Sequence, residues 1–232
     1  MTVFPPAYQK TNGNEGGVSF NPADLGNIVL KGVVTTPTYK GIAPVSNPRF
    51  GGWKYISAAI ALMTPMPVYG SSAHSAWAKH LNSKLAEINT LQQMVQDFYR
   101  VNYWDKYRLS EVASQDVAEW AYDHIVNAGG RGAMWVQLAA KVIPDGGIGP
   151  KSLAAINATD PVALLERAED IAGAYRLDRV HANPSQIQFL TSWLTRDGQP
   201  LGIIAMVKQA AADGRLDDSE VATLKAAMAA TT

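Results

Sequence analysis

Apolar residues recur every three or four positions over most of the chain, which is the spacing of one face of an α-helix. One such stripe runs from Ser75 to about Tyr103 and predicts either one long helix or two short helices in line. Its members are Trp77, Leu81, Leu85, Ile88, Leu91, Val95 and Phe98. A second stripe, from about Ser114 to Asn127, stops at Gly129-Gly130, and "RGAMWVQLAAKVI" predicts a third helix.

Capping residues mark where the later helices begin. Asp160-Pro161 and Asn183-Pro184 each place a capping side chain before a proline at the first helical position. These helices are predicted to end near Val180 and Arg196. Beyond "RDGQP" the pattern predicts a short C-terminal helical hairpin with helices over 202–212 and 218–230.

The link between those last two helices, "DGRLDDSE", resembles the second half of a calcium loop. Gln209 and Ala211 occupy the earlier ligand positions and supply no carboxylate. A capping box between Asp217 and Glu220 explains the segment better. No calcium site is predicted.

The segment "NIVLKGVVTT" has a different pattern, in which β-branched runs flank Lys31-Gly32. That pattern predicts a short β-hairpin with a two-residue turn. The segment from Gly41 to Gly70 is rich in proline and glycine and predicts irregular structure. The fold class predicted from the chain is therefore mainly α, with one small hairpin near its beginning.

Composition excludes several classes of function. The 232 residues carry 20 basic and 20 acidic side chains, so the chain has no excess of positive charge. Nucleic acid is therefore not expected as a partner. Cysteine is absent, and the four histidines lack metalloprotease spacing, so neither a metal nor a cofactor is expected. "MTVFPPAYQK" lacks the pattern of a signal peptide, and "ISAAIALM" is shorter than the ~20 residues that span a bilayer. We therefore expect a soluble protein made in the cytoplasm.

Glu15, in "GNEGGVSFNPADLGN", is the first candidate for catalysis. Glycoside cleavage needs a proton donor and often a second carboxylate, and Asp24 could supply the latter if the hairpin folds it back across a cleft. The glycines after Glu15 would let a sugar chain approach the backbone. A solvated glutamate beside a turn explains the same residues equally simply.

Other motifs have both structural and functional interpretations. "PDGGIGPKSLAAIN" predicts a tight connection between helices, since Asp145 can cap its own turn and Gly146 permits positive φ. Tryptophans at helical spacing are usually core residues, and we assign Trp120, Trp135 and His124 to the core. Trp53, in irregular sequence, is the better candidate for the wall of a sugar-binding cleft.

Taken in order, these motifs resemble glycoside hydrolase family 108, which comprises bacterial and phage N-acetylmuramidases. "NEGG", "NPADLGN", "TYKGIA" and "FGGW" resemble the N-terminal half of the family. "NYWDKY", "IVNAGGRGAMWVQLA", "DGGIGPKSLAAIN" and "NPSQIQFLTSWLTR" resemble its C-terminal half, a predicted peptidoglycan-binding domain. The resemblance covers roughly residues 4 to 196, with the motifs in the same order throughout.

The resemblance implies a lysozyme-like helical fold with the catalytic acid at a helix end and a small hairpin opposite. Residues 1–103 would form the muramidase half, residues 104–197 a peptidoglycan-binding half packed into the same body, and residues 198–232 a helical appendage. The family's catalytic glutamate falls on Glu15, and its motif Asp and motif Thr fall on Asp24 and Thr38, which we also expect to be catalytic. We expect Tyr39, Trp53 and Asn127 to bind the substrate.

The chain departs from the family pattern at several positions. Asn27 replaces the second glycine of Asp-x-Gly-Gly. Asparagine can still adopt a left-handed backbone conformation. Eleven residues, Ile28 to Thr38, separate Asn27 from Tyr39, so the motif contains an insertion, which we assign to the hairpin. Val18 stands where an aromatic residue is common. The stretch from Pro65 to about Leu91 is longer than the usual connection.

The resemblance implies a peptidoglycan hydrolase that cuts between N-acetylmuramic acid and N-acetylglucosamine, with peptidoglycan glycan strands as its partner. A chain without signal peptide or disulfides suits holin, phage-tail or injection-system delivery to the cell wall or periplasm. The alternative is a catalytically inactive peptidoglycan-binding or structural module of a phage tail or injection system. A third interpretation is an enzyme that acts on a related polymer such as chitin.

Overall fold

The computed structural model describes residues 1–12 and 16–230, which divide into two compact units. The N-terminal unit contains Phe4–Asn102. The C-terminal unit contains Met1–Val3 together with the chain from Tyr103 onward. Both units are built mainly from α-helices, which confirms the mainly α, lysozyme-like class predicted above.

The N-terminal unit combines helices with two short pairs of antiparallel strands. Its elements are α1 (Phe4–Asn12), β1 (Val18–Ser19), β2 (Ile28–Leu30), β3 (Val33–Thr36), β4 (Thr38–Tyr39), α2 (Trp53–Leu62), α3 (Ser72–Ala86) and α4 (Asn89–Tyr99). β1 pairs with β4, and β2 pairs with β3. A π-helical segment, Arg100–Asp105, follows α4.

The predicted hairpin is confirmed as β2 and β3. Leu30 pairs with Val33 across the turn formed by Lys31 and Gly32. These two turn residues have φ values of 51° and 79°. Two successive positive φ angles match the right-handed twist of the flanking strands, which is why a glycine is favoured here. The second strand pair, β1 with β4, was not predicted.

The long apolar stripe forms two helices, α3 and α4, so the two-helix alternative is correct. Ser71 caps α3 by accepting a hydrogen bond from the His74 amide, 3.0 Å away. Buried leucines on both helices, Leu81, Leu85 and Leu91, form much of the core of this unit. The structure corrects one assignment, because Trp53 begins helix α2 and does not lie in irregular sequence.

The secondary-structure elements of the C-terminal unit, over its described residues, are all helical. Its α-helices are α5 (Gln115–Ala128), α6 (Gly130–Ala139), α7 (Pro150–Ala158), α8 (Pro161–Ala182), α9 (Ile187–Arg196), α10 (Leu201–Ala210) and α11 (Asp218–Ala229). Short 3-10 turns occupy Leu109–Glu111, Pro184–Gln186 and Ala211–Asp213. None of the helices in the described part of the chain is long and apolar enough to cross a membrane.

Side-chain caps mark the starts of α8 and α11. The Asp160 side chain accepts hydrogen bonds from the amides of Val162 and Ala163 at the start of α8. Asp217 and Glu220 form the predicted capping box at the start of α11. Between α6 and α7, Asp145 accepts hydrogen bonds from the Gln137 side chain and the Gly147 amide, at 2.7 and 2.9 Å. The bond from Gln137, followed by that from Gly147, lowers the pKa of Asp145.

The last two helices share a core with the helices before them. This cluster contains Leu177, Val180, Leu190, Leu194, Ile203, Ile204, Val207, Leu216, Val221, Leu224 and Met228. Burial of such side chains contributes about 1.5–3 kcal/mol each in transfer free energy. The helical hairpin formed by α10 and α11 is therefore packed against α8 and α9.

Candidate active site

The first predicted catalytic residue, Glu15, lies outside the described residues, as do Gly13 and Asn14. The chain directly after it, from Gly16 onward, is described. This segment leads into β1, where Val18 pairs with Tyr39 and Ser19 pairs with Thr38. The position of the strand after Glu15 is therefore set by its pairing with β4.

A tight turn after β1 presents Asp24. The Asp24 amide donates a hydrogen bond to the Asn21 carbonyl, at 3.0 Å, and the Asn21 side chain accepts one from the Ala23 amide. The Asp24 carboxylate accepts hydrogen bonds from Ser19 Oγ at 3.1 Å and from the Gly26 amide at 2.9 Å. The carboxylate is thus held by a hydroxyl from β1 and by its own turn.

The structure brings Asp24 and Thr38 together. A Cβ built on Gly26 would lie 2.9 Å from Thr38 Oγ1 and 3.1 Å from an oxygen of Asp24, so both groups crowd the same side of this glycine. Thr38 Oγ1 is buried and has no hydrogen-bond partner among the described residues. A buried hydroxyl without a partner is costly, and such groups are often found where a ligand binds.

Asn27 joins the turn to β4. Its side-chain amide donates to the Asn21 carbonyl at 2.9 Å, and its side-chain oxygen accepts from the Thr38 amide. Asn27 is not among the described residues with positive φ, so its side chain, and not a left-handed backbone, explains why asparagine can replace the motif glycine. The substitution strengthens the link between Asp24's turn and Thr38.

Tyr39 lies in the core beside this cluster. Its side chain is 1% exposed, and its hydroxyl accepts a hydrogen bond from Gln92 at 3.0 Å. Burial raises the pKa of the Tyr39 hydroxyl, against the opposing effect of Gln92. In this structure the ring, predicted to contact substrate, offers no open face to a sugar. Gln92 also accepts a hydrogen bond from Lys40, whose pKa is lowered by burial.

The other two residues predicted to contact substrate, Trp53 and Asn127, are each held by local hydrogen bonds. Trp53 is half-buried at the start of α2, where its indole nitrogen donates to the Asn47 carbonyl at 2.8 Å and its ring packs edge-on against Phe50. Asn127 lies in α5 of the C-terminal unit, and its side chain donates to the Asp123 carbonyl. His124 is a buried core residue, as predicted.

Asn82, on α3, is a residue of this region that sequence reasoning missed. Its side-chain oxygen accepts a hydrogen bond from the Val18 amide at 2.9 Å. A Cβ on Gly17 would lie 2.0–2.4 Å from the Asn82 side chain, so only glycine permits this approach. The sequence offers one signal for this role, which is that the polar Asn82 directly follows Leu81 of the apolar stripe. Asn82 therefore holds the chain at Val18, three residues after Glu15.

Replacing Asn82 with Ala should lower kcat on peptidoglycan, the substrate that the resemblance implies, by about tenfold. The chain next to the candidate acid Glu15 would lose this anchor, and small misplacements of catalytic groups are costly. We expect KM and wall binding to be unchanged. Asn82→Asp, which keeps the acceptor for the Val18 amide, should restore most of the rate. Ser83→Ala, on the exposed face of α3, is the matched control. An Asn82→Ala enzyme with wild-type kcat would contradict this role.

The cluster has the groups that glycoside cleavage requires beside a proton donor. A carboxylate and a hydroxyl on one side of a glycine can orient a water molecule or face a positively charged transition state. Among the described residues, no group of three or more His, Asp or Glu side chains is arranged to hold a metal ion.

Comparisons with known proteins give two matches along the sequence. The sequence model of a family described as "Glycosyl hydrolase 108" matches residues 8–129, and one described as "Predicted Peptidoglycan domain" matches residues 131–197. No curated protein sequence matches the chain. A solved structure titled "Structure of Brucella abortus SagA" is 22% identical, with 92% of this chain and 96% of that chain covered and a TM-score of 0.48.

Proposed function

This chain belongs to the glycosyl hydrolase 108 family, and from that premise we propose that it is an N-acetylmuramidase. It would cleave the β-1,4 bond between N-acetylmuramic acid and N-acetylglucosamine. The two matches along the sequence support a glycoside hydrolase that acts on peptidoglycan. We propose in addition which bond is cleaved and which residues take part.

Glu15 is the general acid in this proposal. Its carboxyl group would protonate the glycosidic oxygen as the bond to the leaving sugar breaks. Asp24, with Thr38, would orient the attacking water or stabilise the oxocarbenium-like transition state. The observation that carries the proposal is that Asp24 and Thr38 meet beside Gly26, next to the strand that continues from Glu15.

The test is the identity of the new reducing ends. Purified peptidoglycan would be digested, reduced with borohydride and analysed by mass spectrometry. We expect muramic acid in its reduced form at the new ends. Reduced glucosamine ends would contradict the proposed bond. Binding to insoluble peptidoglycan without released ends would instead favour a wall-binding module, and faster release from chitin would favour an enzyme for that polymer.

Delivery to the wall is a separate part of the proposal. Peptidoglycan lies outside the cytoplasmic membrane, and we propose that a holin, a phage tail or an injection system brings the protein to it. Bacteria that produce the protein should lyse only when a holin is co-expressed or the membrane is permeabilised. Lysis without either would show that the protein reaches the wall by another route.

A further inference from the structure

Two departures from the family pattern meet in one pocket of the N-terminal unit. The inserted hairpin contributes Gly32, Val33 and Val34, and the lengthened connection after α2 contributes the segment 66–69 and His74. Phe20 and Pro22, from the loop between β1 and Asp24, complete the lining. The pocket holds about 350 Å³, within the range of sites for small ligands.

The walls of this pocket are mainly apolar. Among the described residues that line it, none is a Lys, Arg, Asp or Glu. Val33, Val68 and Tyr69, at the rim, are about half exposed or more. Contiguous exposed apolar surface is unfavourable in water and usually marks a site of interaction. An uncharged lining favours a neutral, partly apolar group over a carboxylate or an ammonium group.

His74 supplies the polar function in this lining. Its side chain is 6% exposed and lies among the rings of Phe20, Tyr69 and Trp77, with centroid distances of 5.7, 5.2 and 5.9 Å. Its Nε2 atom is buried with no hydrogen-bond partner among the described residues. An unpaired buried nitrogen is destabilising. A ligand that forms a hydrogen bond with such a nitrogen therefore gains more binding free energy than a ligand that bonds to a solvated nitrogen.

We propose that this pocket is a subsite for the acetamido group of an N-acetylated sugar next to the bond being cleaved. The acetamido methyl would contact the apolar walls, and its carbonyl oxygen would accept a hydrogen bond from His74 Nε2. This assignment rests on the proposed function, which supplies N-acetylated sugars as substrate. Asp24 is two residues from Pro22 in the pocket wall, so a sugar held here would lie beside the candidate catalytic cluster.

The test compares two substrates and two enzymes. The substrates are fully N-acetylated peptidoglycan and peptidoglycan with part of its acetyl groups removed enzymatically. The enzymes are the wild type and His74→Phe, which keeps an aromatic ring and removes the nitrogen. Wild-type kcat/KM should fall about three- to tenfold on the deacetylated substrate, the value of one hydrogen bond. On the acetylated substrate, the kcat/KM of His74→Phe should be three- to tenfold below that of the wild type. On the deacetylated substrate, the two enzymes should have nearly the same kcat/KM. A variant that keeps the full wild-type preference would overturn the proposal.

A second pair of variants tests the pocket without altering the core. Val68, at the rim, is 81% exposed, and Leu62, outside the pocket, is 88% exposed. Val68→Asp should raise KM for the acetylated substrate several-fold because it places a charge in the apolar rim, and Leu62→Asp should leave KM unchanged. Equal KM values for the two variants would overturn the proposal.

Binding without turnover separates this subsite from the muramidase proposal. N-acetylated chito-oligosaccharide should shift the His74 ring resonances in NMR spectra, and the deacetylated oligosaccharide should not. These shifts are expected even for a protein that releases no muramic-acid ends. Unshifted His74 resonances at saturating ligand, in a protein that does release such ends, would remove the subsite and leave the muramidase standing.

Discussion

Replacing Glu15 with Gln should reduce the release of muramic-acid ends by a factor of roughly 10² to 10⁴, the range for loss of a general acid. Glutamine has nearly the same size and shape as glutamic acid, but its amide has no acidic proton for the glycosidic oxygen. The leaving sugar would then depart as an unprotonated alkoxide, which is far less stable. The measurement is the rate of reducing-end release from purified peptidoglycan, with product identity established by mass spectrometry.

Glu87→Gln is the matched control for this variant. Glu87 is an exposed glutamate at the end of α3, and its replacement should leave the rate unchanged. Both variants should pellet with insoluble peptidoglycan and unfold at the wild-type temperature, so a loss of rate reports on chemistry. Equal release by wild type and Glu15→Gln would leave a peptidoglycan hydrolase with a different acid.

Replacing Asp197 with Ala should lower the free energy of unfolding of the C-terminal unit by about 3–5 kcal/mol, the cost of removing one partner from a buried ion pair. The Asp197 side chain is 0% exposed, and it contacts His124 at 3.1 Å and Arg176 at 3.2 Å. His124 and Arg176 are themselves almost fully buried. Without Asp197, the buried Arg176 guanidinium would lose this ion-pair partner.

Aromatic rings surround this ion pair and exclude water from it. Arg176 lies over the rings of Trp135 and Trp193, at 5.0 and 5.2 Å from their centroids. His124 stacks on Trp120 at 3.6 Å. Since rings on several sides limit solvent access, screening of the charges is weak and the interaction is stronger than at a surface.

Urea unfolding of the full chain measures the effect, with native-state hydrogen exchange in α5, α8 and α9 assigning it to the C-terminal unit. Asp178→Ala is the matched control. Asp178 pairs with Lys225 at the surface of the same unit, and exposed pairs contribute at most about 1 kcal/mol. If Asp197→Ala and Asp178→Ala lowered stability equally, the buried network would have no special role.

Helix ends and the inserted hairpin were predictable because short-range chemistry specifies them. Asp160 caps α8 through amides two and three residues away. The turn at Lys31-Gly32 needs only two adjacent residues that accept positive φ. Helix α2 was missed because its surroundings are rich in proline and glycine, although Trp53–Leu62 itself contains neither. The proline and glycine content of the segment from Gly41 to Gly70 predicted irregular structure, and for α2 this prediction is wrong.

The sequence by itself determined the helical class, the hairpin, the caps and, through the order of its motifs, the family and the candidate acid Glu15. These features depend on residues close together in the chain. Only the tertiary structure placed Asp24 and Thr38 beside one glycine, buried the Tyr39 ring, and brought Asn82 to Val18 and Asp197 to His124. Such contacts join residues that lie 14 to 73 positions apart and follow from how helices and strands pack, which apolar periodicity leaves open.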